Sequence, residues 1–253
     1  MSCVRLGTAG WAIPRDVATS FPAEGSALER YAAQFSAAEI NSSFHRPHRP
    51  STYAHWADTV PDGFRFAAKV PKTITHGLKL VGAEAELDRF LGEVAALGPK
   101  LGPLLVQLPP KLAFEADVAD AFLRLLRERH DGAVALEPRH PGWFGEEAGA
   151  MLQAWRVARV AADPARVPEA AEPGGWPGLV YIRLHGSPRI YYSAYDEAYL
   201  DGLAVRLRAA EVETWCILDN KASVAAAGNA LALGARLGDG MSGVERPQEG
   251  QDS

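Results

Sequence analysis

Apolar positions along this chain fall into short runs, each followed by a longer stretch that is amphipathic or rich in alanine. The runs "VRLGTA" (4–9), "AEINSS" (38–43), "FRFAAKV" (64–70) and "PLLVQLP" (103–109) predict four strands. "AVALE" (133–137), "VARVAAD" (157–163), "LVYIRLH" (179–185) and "TWCILD" (214–219) predict four more. Helical spacing is clearest in "ADVADAFLRLLRERH" (116–130) and in "SVAAAGNALALGARL" (223–237), where Ser223 stands as a cap. Strand alternating with helix implies parallel strands joined by crossovers.

Eight such units over residues 4–237 match a closed (β/α)8 TIM barrel, for which ~250 residues is typical. A doubly wound open sheet competes, but it usually has fewer strands, and "GTAGW" lacks the G-x-G-x-x-G spacing of a dinucleotide fingerprint. The expectation is one barrel domain over residues 1–237 and a disordered tail over 238–253. "PARVPEAAEPGGWPG" (164–178), rich in Pro and Gly, makes the sixth unit irregular, with a short or missing helix.

Side chains alternate along a strand, so residues two apart share a face. One face of the predicted strands is aliphatic throughout, as packing under helices requires. The other is polar toward the C-terminal ends: Glu39 and Asn41, Arg65 and Lys69, Gln107, Glu137, Asp163 in phase with Arg159 and Ala161, Arg183 and His185, then Asp219. A barrel interior is usually Val, Ile and Leu, and burying unpaired charge costs several kcal/mol. This pattern therefore predicts a charged mouth at the C-terminal end of the barrel, where barrel enzymes build their sites.

Composition narrows the partners. Net charge is −5, but Asp239, Glu245, Glu249 and Asp252 against Arg246 lie in the terminal segment; without them 31 acids and 26 bases fall to 27 and 25. That near balance disfavours a general polyanion binder. Two cysteines, Cys3 and Cys216, sit in or beside strand-like runs and read as buried thiols in a reducing compartment. No run is long and apolar enough for a membrane span, and the first residues lack a signal-peptide pattern, so a cytoplasmic location is expected.

"GTAGW", "AEINSSFHRP", "FRFAAKVPKTITH", "LGPLLVQLPP", "LEPRHPGWF", "YIRLHG" and "LDN…GNALAL" occur in that order. In these motifs, spread over residues 4–237, the chain resembles the YecE-like family, domain of unknown function 72. The resemblance implies a TIM barrel. It supplies no catalytic assignment; the family's suggested kinship with barrel endonucleases and sugar isomerases is one of fold, which does not imply function. The chain departs from the family pattern at Pro138 and Leu218, where an aromatic is common, and at His45, where tyrosine is common. Glu137, Arg139, His140, Arg183 and His185 match it.

Each candidate carries two readings. Glu137, Arg139 and His140 are an acid/base and anion-binding cluster, or an ion pair closing the rim. Arg183 grips a carboxylate or phosphate while His185 moves a proton, or Arg183 pairs internally with Glu137 or Asp163. Lys69 meets an anion or pairs with Glu39; Glu39 and Asn41 orient a hydroxyl or bond to neighbouring strands. Gln107 lines the same mouth. Asp219, Asn220 and Lys221 serve the site or a turn. Tyr191, Tyr192 and Tyr195 stack on a sugar or base, or pack their loop; "FHRPHRP" (44–50) guides an anion or is simply solvated.

No cofactor is predicted. The histidines show neither H-x-H nor H-E-x-x-H spacing, which disfavours zinc; a weakly held magnesium or manganese on Glu39, Glu137, Asp163, His185 and Asp219 stays open. The leading expectation is an enzyme acting on a small anionic molecule, a phosphorylated sugar or nucleotide-like compound. In it Glu137 and His185 trade protons, Asp163 or Asp219 tunes the histidine, and Lys69, Arg139 and Arg183 hold the anion. Its alternatives are a nucleic-acid binding or processing protein and a non-catalytic metabolite binder. The oligomeric state is not legible.

Overall fold

A computed structural model describes residues 4–220 and 225–238. Strands β1 (Val4–Ala9), β2 (Ala37–Ile40), β3 (Arg65–Lys69), β4 (Leu101–Gln107) and β5 (Val134–Glu137) follow one another in parallel register. The sixth predicted strand is split. β6 (Ala158–Arg159) continues the ladder from β5, whereas β7 (Ala161–Asp163) pairs with β9 (Val180–Leu184). β10 (Thr214–Leu218) then lies between β9 and β1. Only Val160 separates the two halves of the split strand, and its N–H still donates to Leu136 O at 2.9 Å. The sheet thus curls into a barrel of eight parallel strands, as predicted, with the sixth interrupted.

The irregularity has a local cause. Residues 164–178 supply no crossover helix; a 3-10 turn (Pro168–Ala171) and a two-residue antiparallel strand, β8 (Gly174–Gly175), stand in its place against β6. Gly175 takes φ +66, and a Cβ there would lie 2.5 Å from Val157 O, so the hairpin requires glycine.

Outer elements are α1 (Ala27–Ala32), α2 (Ser42–His45), α3 (Pro50–Thr59), α4 (Glu84–Val94), α5 (Ala116–Arg127), α6 (Glu146–Ala154), α7 (Glu197–Arg208) and α8 (Ala225–Leu237). α5 buries Ala119, Phe122, Leu123 and Leu126, the i, i+3, i+4, i+7 stripe that its sequence announced. α1 opens on a capping box between Ser26 and Glu29. The predicted cap Ser223 and the tail beyond residue 238 lie outside the described residues.

Two boundaries move. Strand β2 ends at Ile40, not Ser43, because Asn41 adopts α-helical angles and Ser42–His45 form one helical turn. Ser43 Oγ then donates within bonding distance of both Ile40 O and Lys69 O, tying that turn to β3. In strand six the phase is one residue off: Val160 joins the interior cluster and Ala161 the outer one. Asp163, in phase with Ala161, therefore points away from the barrel axis.

Inside the barrel, alanines at 37, 67, 135 and 158 face two large rings, Tyr181 and Trp215, stacked with centroids 6.0 Å apart. Small residues on one wall and aromatics on the other fill the axis. This packed plug forms the floor on which the charged mouth rests.

Candidate functional site

Above the plug, seven side chains from β2, β3, β4, β5, β9 and β10 converge. Arg183 lies at the centre with no solvent exposure. It donates through Nε to Glu39 Oε2 (3.0 Å) and through Nη2 to Glu39 Oε1 (2.6 Å), a two-pronged pair. Nη2 also reaches Asp219 Oδ2 at 2.9 Å, and Nη1 reaches Glu137 Oε2 at 2.5 Å. Four of its five N–H groups are engaged by three carboxylates, and the last faces His185. Arg183 therefore has no donor left for a ligand. The reading in which it grips the anion gives way to the internal pair, whose partners are Glu39, Glu137 and Asp219 rather than Asp163.

Tyr181 Oη and Gln107 Nε2 complete the shell, donating to Glu39 Oε2 and Glu137 Oε2, each at 2.9 Å. The three carboxylates that would otherwise attract a divalent ion converge on a guanidinium instead. Burial raises the Glu137 carboxyl, but Arg183 and then His185 outweigh it and hold the group well below its usual range.

His185 Nε2 lies 3.1 Å from Glu137 Oε1, and Nδ1 lies 3.4 Å from Asp219 Oδ2, close enough for an ion pair but too poorly aligned for a hydrogen bond. Burial lowers its basicity; Glu137 opposes burial and the balance is a raised pKa. Two flanking carboxylates thus favour the imidazolium, the form with a proton to give.

Arg139 binds Glu137 Oε1 through Nε (3.3 Å) and Nη2 (3.2 Å), and Nη2 also reaches Tyr191 Oη at 3.3 Å. Its Nη1 has no hydrogen-bond partner among the described residues. Tyr191, at φ +70, is a non-glycine residue in the left-handed region; its ring stands edge-on to His185, with centroids 5.6 Å apart. Glu137, Arg139, His185 and Tyr191, with Pro138, Arg166 and Ile190, line a cleft of about 70 Å³. That is well below the ~300–1,000 Å³ of an ordinary ligand pocket and suits only a very small molecule.

Lys69 closes the other side of the mouth. It is 7% exposed, and its Nζ sits over the ring of Phe44, 4.3 Å from the centroid. Burial lowers its pKa to about 8, with Arg183 adding to the effect and Glu39, Glu137 and Asp219 opposing it.

Several predicted residues serve other ends. His140 Nδ1 accepts from Gly142 N at 3.1 Å, capping the 3-10 turn that Pro141 starts. Asp163 Oδ1 lies 2.9 Å from the hydroxyl of Tyr195, so of the two aspartates only Asp219 stands beside the His185 ring, with Glu137. Asn220 Nδ2 donates to Ser193 O and Asn229 Oδ1, holding the loop rather than the mouth. Asn41 stands at the start of α2 with its Oδ1 buried and unpartnered. Tyr195 stacks on Tyr199, and Tyr192 lies under Arg189, so of the three tyrosines Tyr191 alone lines the cleft.

Phe44 and His76 escaped the sequence reading. Both sit in loop-like sequence, and their only signal was membership of the motifs following strands two and three. His76 lies on a π-helical turn (Thr73–Gly77), a form frequent at functional sites, with its ring 5.1 Å from Phe44. Burial lowers its pKa, and Lys69, Arg139 and Lys72 add to the effect. In the basic loop, His48 bonds Ser42 and packs edge-on against Tyr53 and Trp56, so that segment is not simply solvated.

Fold and site together define a TIM-barrel protein whose C-terminal mouth is a buried ion network opening onto a small cleft. The chain belongs to the family described as protein of unknown function DUF72, whose pattern matches residues 5–252. It is 30% identical over 147 residues to the UPF0759 protein YecE of Escherichia coli, a match covering 57% of this chain. The matched part is 52% of that protein, so the chain spans about half the length of the curated relative it matches. A DUF72 family protein from Enterococcus faecalis superposes with a TM-score of 0.77 at 22% identity, covering 92% of this chain and 95% of that one. One from Thermotoga maritima gives 0.75 at 24%, covering 93% and 99%. At these identities the structural likeness speaks for the fold alone.

Proposed function

We propose that the chain is an enzyme that binds a small anionic molecule in the cleft and works on it by acid/base chemistry. The observation that carries this reading is the juxtaposition of unengaged positive charge with a proton-carrying pair. Arg139 Nη1 and the guanidinium of Arg166, neither with a hydrogen-bond partner among the described residues, face the same cleft as Glu137 and His185. With His185 protonated, Arg139, Arg183 and His185 balance Glu39, Glu137 and Asp219, so the guanidinium of Arg166 is the charge left for a bound anion.

His185 is the proton donor in this reading and Glu137 is its acceptor and orienting group. Arg183 positions both without touching the ligand. A buried free thiol at Cys216, pushed up to about 12 by burial, supports a reducing, cytoplasmic setting. Among the described residues no helix is long and apolar enough to cross a membrane.

Thermal unfolding in the presence of small carboxylates, phosphorylated sugars, nucleotides and short oligonucleotides tests the proposal. A rise with one small anion, absent in Arg139→Met, supports it. Stabilisation by oligonucleotides alone, lost steeply with salt, would favour nucleic-acid binding instead. Binding with no turnover of any bound compound would make the mouth a metabolite sensor.

A further inference from the structure

Two lysines among the described residues are equally hidden, and only one has hydrogen-bond and ion-pair partners. Lys100 and Lys69 are each 7% exposed. Lys100 Nζ donates to Pro61 O at 2.6 Å and to Asp62 Oδ1 at 3.1 Å, the arrangement a structural lysine requires. Lys69 Nζ has no hydrogen bond and no carboxylate within ion-pair distance among the described residues; an aromatic face is its nearest company. The carboxylates that could have held it are present, but Arg183 has engaged Glu39, Glu137 and Asp219. Burial works against the ammonium and lowers its pKa to about 8, so the neutral amine is reached close to neutral pH. A neutral amine is a nucleophile.

We propose that Lys69 is an amine nucleophile that condenses with the carbonyl carbon of a small anionic aldehyde or ketone, giving a Schiff base at the barrel mouth. This rests on the reading of the cleft as an anion site and narrows its substrate to carbonyl compounds.

The step balances without a redox partner. The Lys69 lone pair forms the N–C bond while the carbonyl π pair moves to oxygen, which takes a proton from the imidazolium of His185. The ammonium proton returns to His185, giving the neutral carbinolamine. A second protonation of the oxygen lets it leave as water while the nitrogen lone pair closes the C=N bond. The products are a protonated imine, water and neutral His185, and nothing is oxidised or reduced. Lys69 and His185 are tied to the same groups: Glu137 and Asp219, which flank His185, are also among the charges that face Lys69, with Glu39, Arg183 and the ring of His76. Arg139 and Arg166, in the cleft beside Glu137 and His185, would hold the anionic end of the compound, with its carbonyl end directed out of the cleft toward Lys69, which is not part of the cleft's lining.

The test is reductive trapping. The full chain is incubated separately with glyoxylate, pyruvate and dihydroxyacetone phosphate, with sodium cyanoborohydride, and modified peptides are identified by mass spectrometry. The expected result is one adduct on the peptide containing Lys69 with at least one of these compounds, absent in Lys69→Met and Lys69→Arg, both checked for native melting. Arylation by trinitrobenzenesulfonate across pH is the second measurement. Lys69 should react with a midpoint well below that of exposed Lys72, Lys79 and Lys111.

The outcomes separate the two claims. Stabilisation by pyruvate and by lactate alike, with no adduct on Lys69, overturns the Schiff base and leaves the anion site standing. Trapping on Lys69 that neutral aldehydes match and Arg139→Met leaves unchanged keeps the nucleophile and removes the anion site. Adducts confined to surface lysines, or an arylation midpoint for Lys69 no lower than theirs, would overturn the inference.

Discussion

Arg183 and Glu39 form a two-pronged ion pair, Nε to Oε2 at 3.0 Å and Nη2 to Oε1 at 2.6 Å, with neither side chain exposed to solvent. Such a pair is no guide to net stability, since desolvating two charges can cancel their attraction. Its value lies in position: the guanidinium engages Glu39, Glu137 and Asp219 and leaves Lys69 without a direct ion pair among the described residues.

Removing Arg183 should therefore hurt far more than removing a surface arginine. Arg183→Met takes a counter-charge from three buried carboxylates and leaves Glu39 with no ion-pair partner among the described residues, and the expected loss is about 3–5 kcal/mol of unfolding free energy. Urea denaturation would read it. Adding Glu39→Gln to that variant should restore part of the loss, because one unpaired charge is gone. Equal stability of the single variant and the native chain would show that the network is solvated and weak.

His185 reports on its neighbours directly. Its ring should titrate above 6.5, because Glu137 and Asp219 favour the imidazolium more than burial opposes it. Glu137→Gln and Asp219→Asn should each lower the midpoint, whereas Asp163→Asn should leave it in place, since Asp163 faces Tyr195. NMR titration of the ring Cε1–H distinguishes the three.

The same groups set opposite trends of stability with pH. For His185 the native pKa is raised, so its contribution is whole below about 6.5 and fades as pH climbs through the native value. Glu137 has the reverse sign: its contribution is present above 4.5 and is lost on acidification through its depressed native pKa. Lys69, lowered from 10.5 to about 8, penalises the fold below pH 8 and relents as pH rises toward 10.5. Lys69→Met should accordingly be more stable than the native chain at neutral pH, by up to roughly 3 kcal/mol at ~1.4 kcal/mol per pH unit. A destabilised Lys69→Met would mean that the ammonium is well solvated.

The barrel seam between β1 and β2 gives a prediction independent of the site. A Cβ on Gly7 would stand 1.9 Å from Ala37 O, a backbone atom that cannot turn aside. Gly7→Ala should cost about 3 kcal/mol or more, seen as a lower melting temperature or loss of soluble protein. Normal stability would mean that β1 and β2 can separate without opening the barrel.

Local pattern determined a good deal of this protein. Strand and helix alternation fixed a parallel barrel because each run had its own length and period, and the polar C-terminal ends of the strands marked the mouth. Glu39, Lys69, Gln107, Glu137, Arg183, His185 and Asp219 were legible because a strand's two-residue period assigns faces without knowledge of neighbours. Partnership was not legible. Whether Arg183 faces a ligand or Glu39, 144 positions away, depends on how β9 and β2 meet across the barrel. Asp163 failed for a related reason: "VARVAAD" carries alanines on both faces, so only the change of partner from β5 to β9 set which way it points. His140 and Asn220 were taken by local hydrogen bonds of turn and loop that compete with any role in the mouth. Phe44 and His76 lie on helical turns whose direction follows from packing on β3, and no period in the sequence encodes that.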